Sequence, residues 1–405
     1  MARSIPIFAQ KKPSTATGLE FRVSPPLALY VHVPWCVQKC PYCDFNSHEA
    51  NGSIPERDYV DALIADLQSA LPLIWGRPVV SVFFGGGTPS LLSPAAIDEL
   101  IAAFRALAML SPEAEITLEA NPGTVEAEKF ASFRAAGVNR LSLGIQSFND
   151  EHLKALGRIH GAAEAKRAAQ LAGEHFEAFN LDLMYGLPGQ TLEQALADVD
   201  TALDFAPGHL SCYQLTLEPN TRFAAFPPEL PEGDLCADMQ DAIEARLAAA
   251  GYTNYETSAF ARAGKQCRHN LNYWHFGDYL GIGAGAHSKL TLHDRVLRQM
   301  RWKQPAAYLD NTRSGNPVQT ANEVAAGQLP FEFLMNALRL HEGFPPALFE
   351  ARTAQPLSTI LPQLRAAEAD GLLTIEPERI APTLRGRRFL NVLLERFLDD
   401  DGNAA

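Results

Sequence analysis

Six stretches of the chain read as strands, and most of them lead into a helix. Leu27–Val33 is a short apolar, β-branched run, and 79–84 (Val-Val-Ser-Val-Phe-Phe) is a continuous buried one. Further strands are expected at 115–120, 140–147, 179–189 and 209–217. Between them, residues 56–71 place Val60, Leu63, Ile64, Leu67 and Leu71 on one helical face. Ser93-Pro94 is an N-cap followed by a proline at the first helical position, opening a helix to about Leu107. Helical spacing also covers 125–136, with Gly137 as its stop, and 231–250, while Thr191-Leu192-Glu193-Gln194 is a capping box. Such alternation predicts an α/β fold: a parallel sheet with helices outside, closing only part of a barrel because there are six units and not eight.

Beyond about Gly315 the pattern changes. Helices at 331–340, 345–352 and 357–369 precede a short hairpin (371–375 and 379–382) and a last helix from Thr383 to Leu398. This order predicts a smaller winged-helix-like α+β domain. The expected organisation is an arm at 1–20, a core domain at 21–255, a connecting segment at 256–315 and a carboxyl-terminal domain at 316–399. The arm carries no apolar region followed by a small-residue cleavage site, and together with six cysteines in 405 residues this predicts a cytoplasmic protein. The acidic tail 399–403 reads as a second arm.

Composition narrows the function. The chain is 47% hydrophobic and 20% charged, ordinary for a globular protein. No apolar run approaches ~18 residues, so no transmembrane segment is expected. A net charge of −13 argues against nonspecific nucleic-acid binding. The one dense basic patch, Arg385-Gly386-Arg387-Arg388, reads as a solvated helix face.

The chemistry starts at Cys36, Cys40 and Cys43, three cysteines within eight residues on the loop after the first strand. Four thiolates close an iron–sulfur centre; three leave one iron open to a small molecule. Structural zinc calls for a second CxxC pair or histidines, which Cys212, Cys236 and Cys267 do not provide. Gly85-Gly86-Gly87-Thr88 ends the second strand, where glycines let backbone approach a ligand; it lacks the Gly-Lys-Ser/Thr ending of a P-loop. Glu119 and Gln146 stand at strand ends, with Arg158 twelve residues past Gln146. Taken singly, Glu119 could cap a helix, and Gln146 and Arg158 could be surface residues. Asp182, inside an apolar strand, needs a partner. His269-Asn270-x-x-Tyr273-Trp274 combines an imidazole, an amide and two large rings, suited either to a flat metal-centred ligand or to ordinary core packing. Cys267 and His287 lie close by without an assigned role.

C-x3-C-x-Tyr42-C resembles the signature of the radical S-adenosylmethionine (SAM) superfamily. The resemblance implies a partial (β/α)6 barrel holding a [4Fe–4S] cluster on Cys36, Cys40 and Cys43. SAM would be bound by Tyr30, Gly86, Gly87, Thr88, Glu119, Gln146, Arg158 and Asp182. From about Leu27 to Leu398 the chain is similar to the family that contains oxygen-independent coproporphyrinogen III dehydrogenase and the HemW haem chaperones. Phe45 stands where the dehydrogenase carries one more cysteine, and 29 residues precede Tyr30 where it has a longer extension. His269, Asn270, Tyr273 and Trp274 look like the HNxxYW motif associated with haem in the HemW branch. The implied partners are haem, acceptor haemoproteins and an electron donor for the cluster. Coproporphyrinogen decarboxylation is the alternative.

Overall fold

The computed structural model describes residues 18–50, 52–123 and 127–398. Most of the expected arm, the acidic tail and the start of the expected helix at 125 lie outside them.

The six expected strands form side by side in one sheet. They are β1 (Leu27–Val33), β2 (Pro78–Gly86), β3 (Met109–Ala120), β4 (Arg140–Gln146), β5 (Phe179–Tyr185) and β6 (His209–Gln214). All five successive pairs are parallel. Helices cover the outside and bury their apolar stripes, such as Val60, Leu63 and Leu67 on Glu56–Ile74. Local stops act as the sequence suggests. Ser93 accepts from the Ala96 N–H at 3.1 Å, Thr191 and Gln194 cap each other, and Gly137 takes φ +108° just past Phe130–Ala135.

The sheet does not stop at six strands. β7 (Thr253–Glu256) and β8 (Ala259–Ala261) form an antiparallel hairpin on the β6 edge. β9 (Asp278–Ile282) lies parallel to β1 on the other side, followed outward by antiparallel β10 (His287–Thr291), β11 (Val296–Arg301) and β12 (Val318–Glu323). The order across the twelve strands is β12-β11-β10-β9-β1-β2-β3-β4-β5-β6-β8-β7. The segment 256–315, expected to connect two domains, therefore contributes β8, β9, β10 and β11 to the sheet, and the expected boundary at 255/256 falls inside β7. The physical reason is burial: Leu280, Ile282 and Leu290 belong to the same apolar core as β1 and β2. Ion pairs on two buried carboxylates, Asp278 and Asp66, tie the extension down. Asp278 takes Lys289 at 3.0 Å and Arg77 at 2.8 Å, while Arg301 reaches Asp66 on the first helix at 3.0 Å. Loss of one partner from such a pair strands a buried charge, costing roughly 3–5 kcal/mol.

The carboxyl-terminal region has its own core around Phe333, Phe344 and Phe349, which also takes in Phe276 and Val296 from the sheet extension. Its helices run Leu329–Ala337, Pro346–Thr353 and Leu361–Ala369, followed by the hairpin of Leu373–Ile375 with Ile380–Pro382. The expected last helix is two short ones, Leu384–Arg388 and Leu390–Glu395, broken at Phe389. Among the described residues no helix is long and apolar enough to cross a membrane.

Candidate functional site

The loops at the carboxyl ends of β1 to β5 surround one cavity, the position where parallel α/β sheets gather ligand-binding groups. Cys36, Cys40 and Cys43 line it together with Gly86, Gly87, Thr88, Glu119, Gln146, Arg158 and Asp182. Ten of the eleven residues assigned to cluster or SAM thus border one space. Tyr30 is the exception: its ring lines an adjoining cavity, and its hydroxyl pairs with His32 Nδ1 at 3.0 Å.

The donor set suits an iron–sulfur cluster. Three free thiols face the cavity, yet among the described residues no three His, Cys, Asp or Glu side chains converge on a single ion. Burial raises the pKa of Cys36, opposed by a hydrogen bond from Thr88, and burial likewise raises that of Cys43. An electropositive group at the cavity would stabilise the thiolates that ligation requires. The glycines form a close cradle: a Cβ on Gly87 would lie 2.5 Å from the Trp35 carbonyl oxygen and 3.0 Å from Cys36 Sγ. Gly86 has φ +114° and donates its N–H to Glu119 Oε2 at 3.2 Å.

Arg158 is held by its Nη2, which donates to Asn121 Oδ1 and to the Gly144 carbonyl, each at 2.8 Å. Its Nη1 lies 3.5 Å from Cys40 Sγ, and its buried Nε has no hydrogen-bond partner. Glu119 and Asp182 supply two half-buried carboxyls. Burial, then the charge of Asp182, pushes Glu119 up to about 8. Burial also raises Asp182, even though Asn180 donates to it at 2.7 Å. Gln146 adopts φ +69° and accepts from the Tyr213 hydroxyl at 2.7 Å. The cavity can therefore take a ligand with both cationic and anionic ends. Asn121, Ser142 and Tyr213 also line it, and nothing in the sequence singles them out. Treating every strand end as a candidate would have found Asn121, one residue past β3.

The adjoining cavity shares Phe45, Gly86 and Glu119 with the first. Of the residues matched to haem by the motif, only Tyr273 lines it. His269 is 2% exposed, stacks on Phe83 with ring centres 4.9 Å apart and meets Ser81 Oγ at 3.0 Å. Its Nε2 has no partner, and burial, then the charge of Arg140, brings its pKa down to about 3. Asn270 is half-buried on the same short helix. Trp274 faces away toward the carboxyl-terminal region, with the Arg339 guanidinium 4.3 Å from its ring centre. The four residues share one helical segment without converging on one ligand face.

A family model described as "Radical SAM superfamily" matches residues 30–202, and one described as "HemN C-terminal domain" matches 325–389. The protein named heme chaperone HemW in Escherichia coli (strain K12) is 52% identical over 376 residues, 92% of this chain and 98% of that protein. Heme chaperone HemW of Haemophilus influenzae is 49% identical over 383 residues, 93% of this chain and 99% of that one. The solved coproporphyrinogen III oxidase HemN of Escherichia coli, a radical SAM enzyme, aligns with a TM-score of 0.78 at 26% identity, covering 92% of this chain and 90% of its own.

Proposed function

The chain belongs to the heme chaperone HemW family of radical SAM proteins, and from that premise we propose that it binds a [4Fe–4S] cluster, SAM and haem and delivers haem to acceptor haemoproteins. One observation carries the reading: the three clustered thiols and the glycine cradle border a single cavity with Glu119, Gln146, Arg158 and Asp182.

Cys36, Cys40 and Cys43 would hold the cluster. When bound, a reduced cluster supplies the electron that breaks the sulfonium of SAM in this superfamily. The protein's own part is position and charge. Arg158, pinned by Asn121 and Gly144, brings a cation close to Cys40 and would meet the carboxylate of SAM. Gly87 leaves room beside Cys36 that any side chain would fill. Gln146, Glu119 and Asp182 offer acceptors to the amino and ribose groups, and near neutral pH the raised pKa of Glu119 also makes it a donor. Thr88 accepts from the Asn121 amide at 2.9 Å, joining the glycine loop to the residue that orients Arg158.

The proposal needs an electron donor and an acceptor haemoprotein; nucleic acid has no part in it. A cytoplasmic setting accords with six unpaired cysteines. Anaerobic reconstitution, followed by parallel haem titration and coproporphyrinogen III assay, tests it. Cluster absorbance, a Soret band and transfer to an apo-haemoprotein without porphyrinogen turnover are expected. Conversion to protoporphyrinogen IX, the activity of the HemN enzyme, would overturn it.

A further inference from the structure

The adjoining cavity has a volume of about 580 Å³, against about 160 Å³ for the thiol-lined one, and its lining differs in kind. It carries imidazoles, phenols and two lysines. Tyr273 and Tyr279 pack with ring centres 4.3 Å apart, and Phe45, 59% exposed, stands at the shared wall. Lys39 and Lys303 are both exposed. Lys39 is steadied from the loop, its Nζ donating to the Phe45 and Ser47 carbonyls at 3.2 Å each.

Three histidines line the space, and their commitments separate them. His32 is engaged at both nitrogens, by the Tyr30 hydroxyl at 3.0 Å and the Asn46 carbonyl at 2.9 Å. His48 Nε2 has no hydrogen-bond partner, but it is buried and closed off from the cavity's solvent. The exposed ring of His287 has no hydrogen-bond partner among the described residues.

The backbone beneath His287 is fixed. β9 ends in the glycine-rich turn 281–286, where a Cβ on Gly281 would lie 2.1 Å from the His287 carbonyl oxygen. One on Gly285, with φ +84°, would lie 2.2 Å from the Asn46 amide nitrogen. Ser288, the next residue, accepts from the Gly281 N–H at 2.9 Å and from Arg301 at 3.0 Å. A free imidazole on so constrained a turn is a preorganised ligand.

Resting on the haem-chaperone reading, we infer that this second cavity is where the chain holds haem, with His287 as the axial ligand and Lys39 and Lys303 meeting the two carboxylates. A flat metal-centred ring with two acidic tails fits aromatic walls, one open imidazole and two cations. Coordination requires the neutral imidazole, and partial desolvation of a ring that still reaches solvent, then the charges of Lys303 and Arg298, lower the pKa of His287, which favours that form. Glu119, held up to about 8, is mostly protonated at pH 7, and Asp44 is the other carboxyl side chain of the lining.

Ferric haem is titrated into the full-length protein and its variants, following the Soret band and the electron paramagnetic resonance of the iron. His287→Ala is expected to shift the Soret band and weaken binding about tenfold or more, ~1.4 kcal/mol, and added imidazole should restore the wild-type spectrum. Lys39→Ala with Lys303→Ala should weaken binding with an unmoved Soret band, and His269→Ala should keep the wild-type band. If wild type binds haem and His287→Ala matches it in spectrum and affinity, the assignment to His287 is wrong while the chaperone reading stands. If wild type shows no Soret band at all, the chaperone reading fails first.

Discussion

The two cavities meet at Phe45, Gly86 and Glu119 yet are built from different materials. The first has three thiols, two half-buried carboxyls and one guanidinium pinned by an amide and a carbonyl. The second has an open imidazole, two exposed lysines and aromatic walls. Fixed groups at short spacing suit a small cofactor held in one pose, whereas an open aromatic cavity with solvent-exposed cations suits a large ligand that must be released again. The contrast points to division of labour: one cavity retains its contents and the other passes them on.

The most severe break in that contrast comes from the thiols. Replacing Cys36, Cys40 and Cys43 together by serine should abolish cluster absorbance after anaerobic reconstitution and reduce SAM affinity by roughly 100-fold or more, beyond what loss of an outer-shell partner costs. Haem titration of the same variant should be close to wild type. Loss of haem binding in step with the cluster would mean that the cavities work as one site.

Arg158→Ala should act next, and only on the first cavity. It removes the cation beside Cys40 and its bonds to Asn121 and Gly144, so SAM affinity should fall about tenfold, the order expected of a charged hydrogen-bonding partner. Equilibrium dialysis with SAM measures this, and the cluster spectrum should persist. A haem affinity that fell equally would sink the division.

Glu119, on the shared wall, sharpens the comparison through pH. Its folded pKa is raised from 4.5 to about 8. Between those values the folded chain keeps a proton that the unfolded chain has released, so its contribution is full below about 4.5 and is lost as pH rises toward 8. Asp182, also raised, adds the same sign. Denaturant unfolding of the cluster-free protein should therefore show stability falling across this window. Glu119→Gln should remove roughly 2 kcal/mol of that fall, taking one pKa unit as ~1.4 kcal/mol and discounting for the coupled neighbour. An unchanged slope would place the buried proton elsewhere.

The same contrast explains what could be read from sequence. The first cavity was legible because its groups sit at strand ends that apolar runs announce, and its thiols fall within eight residues. The second joins 30–48 to 273–303 through the pairing of β9 with β1, and no periodicity in either segment encodes that partnership. β11 and β12 are mostly half-buried or exposed, so their outer strands lack an apolar signature. The helix Ala162–His175 was missed for another reason: its buried stripe is Ala165, Ala168, Ala169 and Ala172, small residues that barely register as apolar. His269 drew attention as an imidazole in a motif, but only packing shows it buried against Phe83 and Ser81. His287 carries no sequence signal of a role, because only the fold places it in one cavity with His32, whose nitrogens are taken by Tyr30 and Asn46.

The smallest effect belongs to Phe45, which touches both cavities. Its ring is exposed, so Phe45→Ala should change folding stability by no more than about 0.5 kcal/mol. The backbone carbonyl that accepts from Lys39 remains in the variant, so the lysine should stay in place. What is lost is an apolar edge. A large planar ligand would lose contact area worth about 1 kcal/mol, a several-fold weakening of haem binding, while a small ligand gripped by Arg158 and the glycine cradle would hardly notice. Parallel titrations with haem and SAM decide the point. A greater loss for SAM than for haem would assign Phe45 to the first cavity, leaving the second without its wall and the division between them without a boundary.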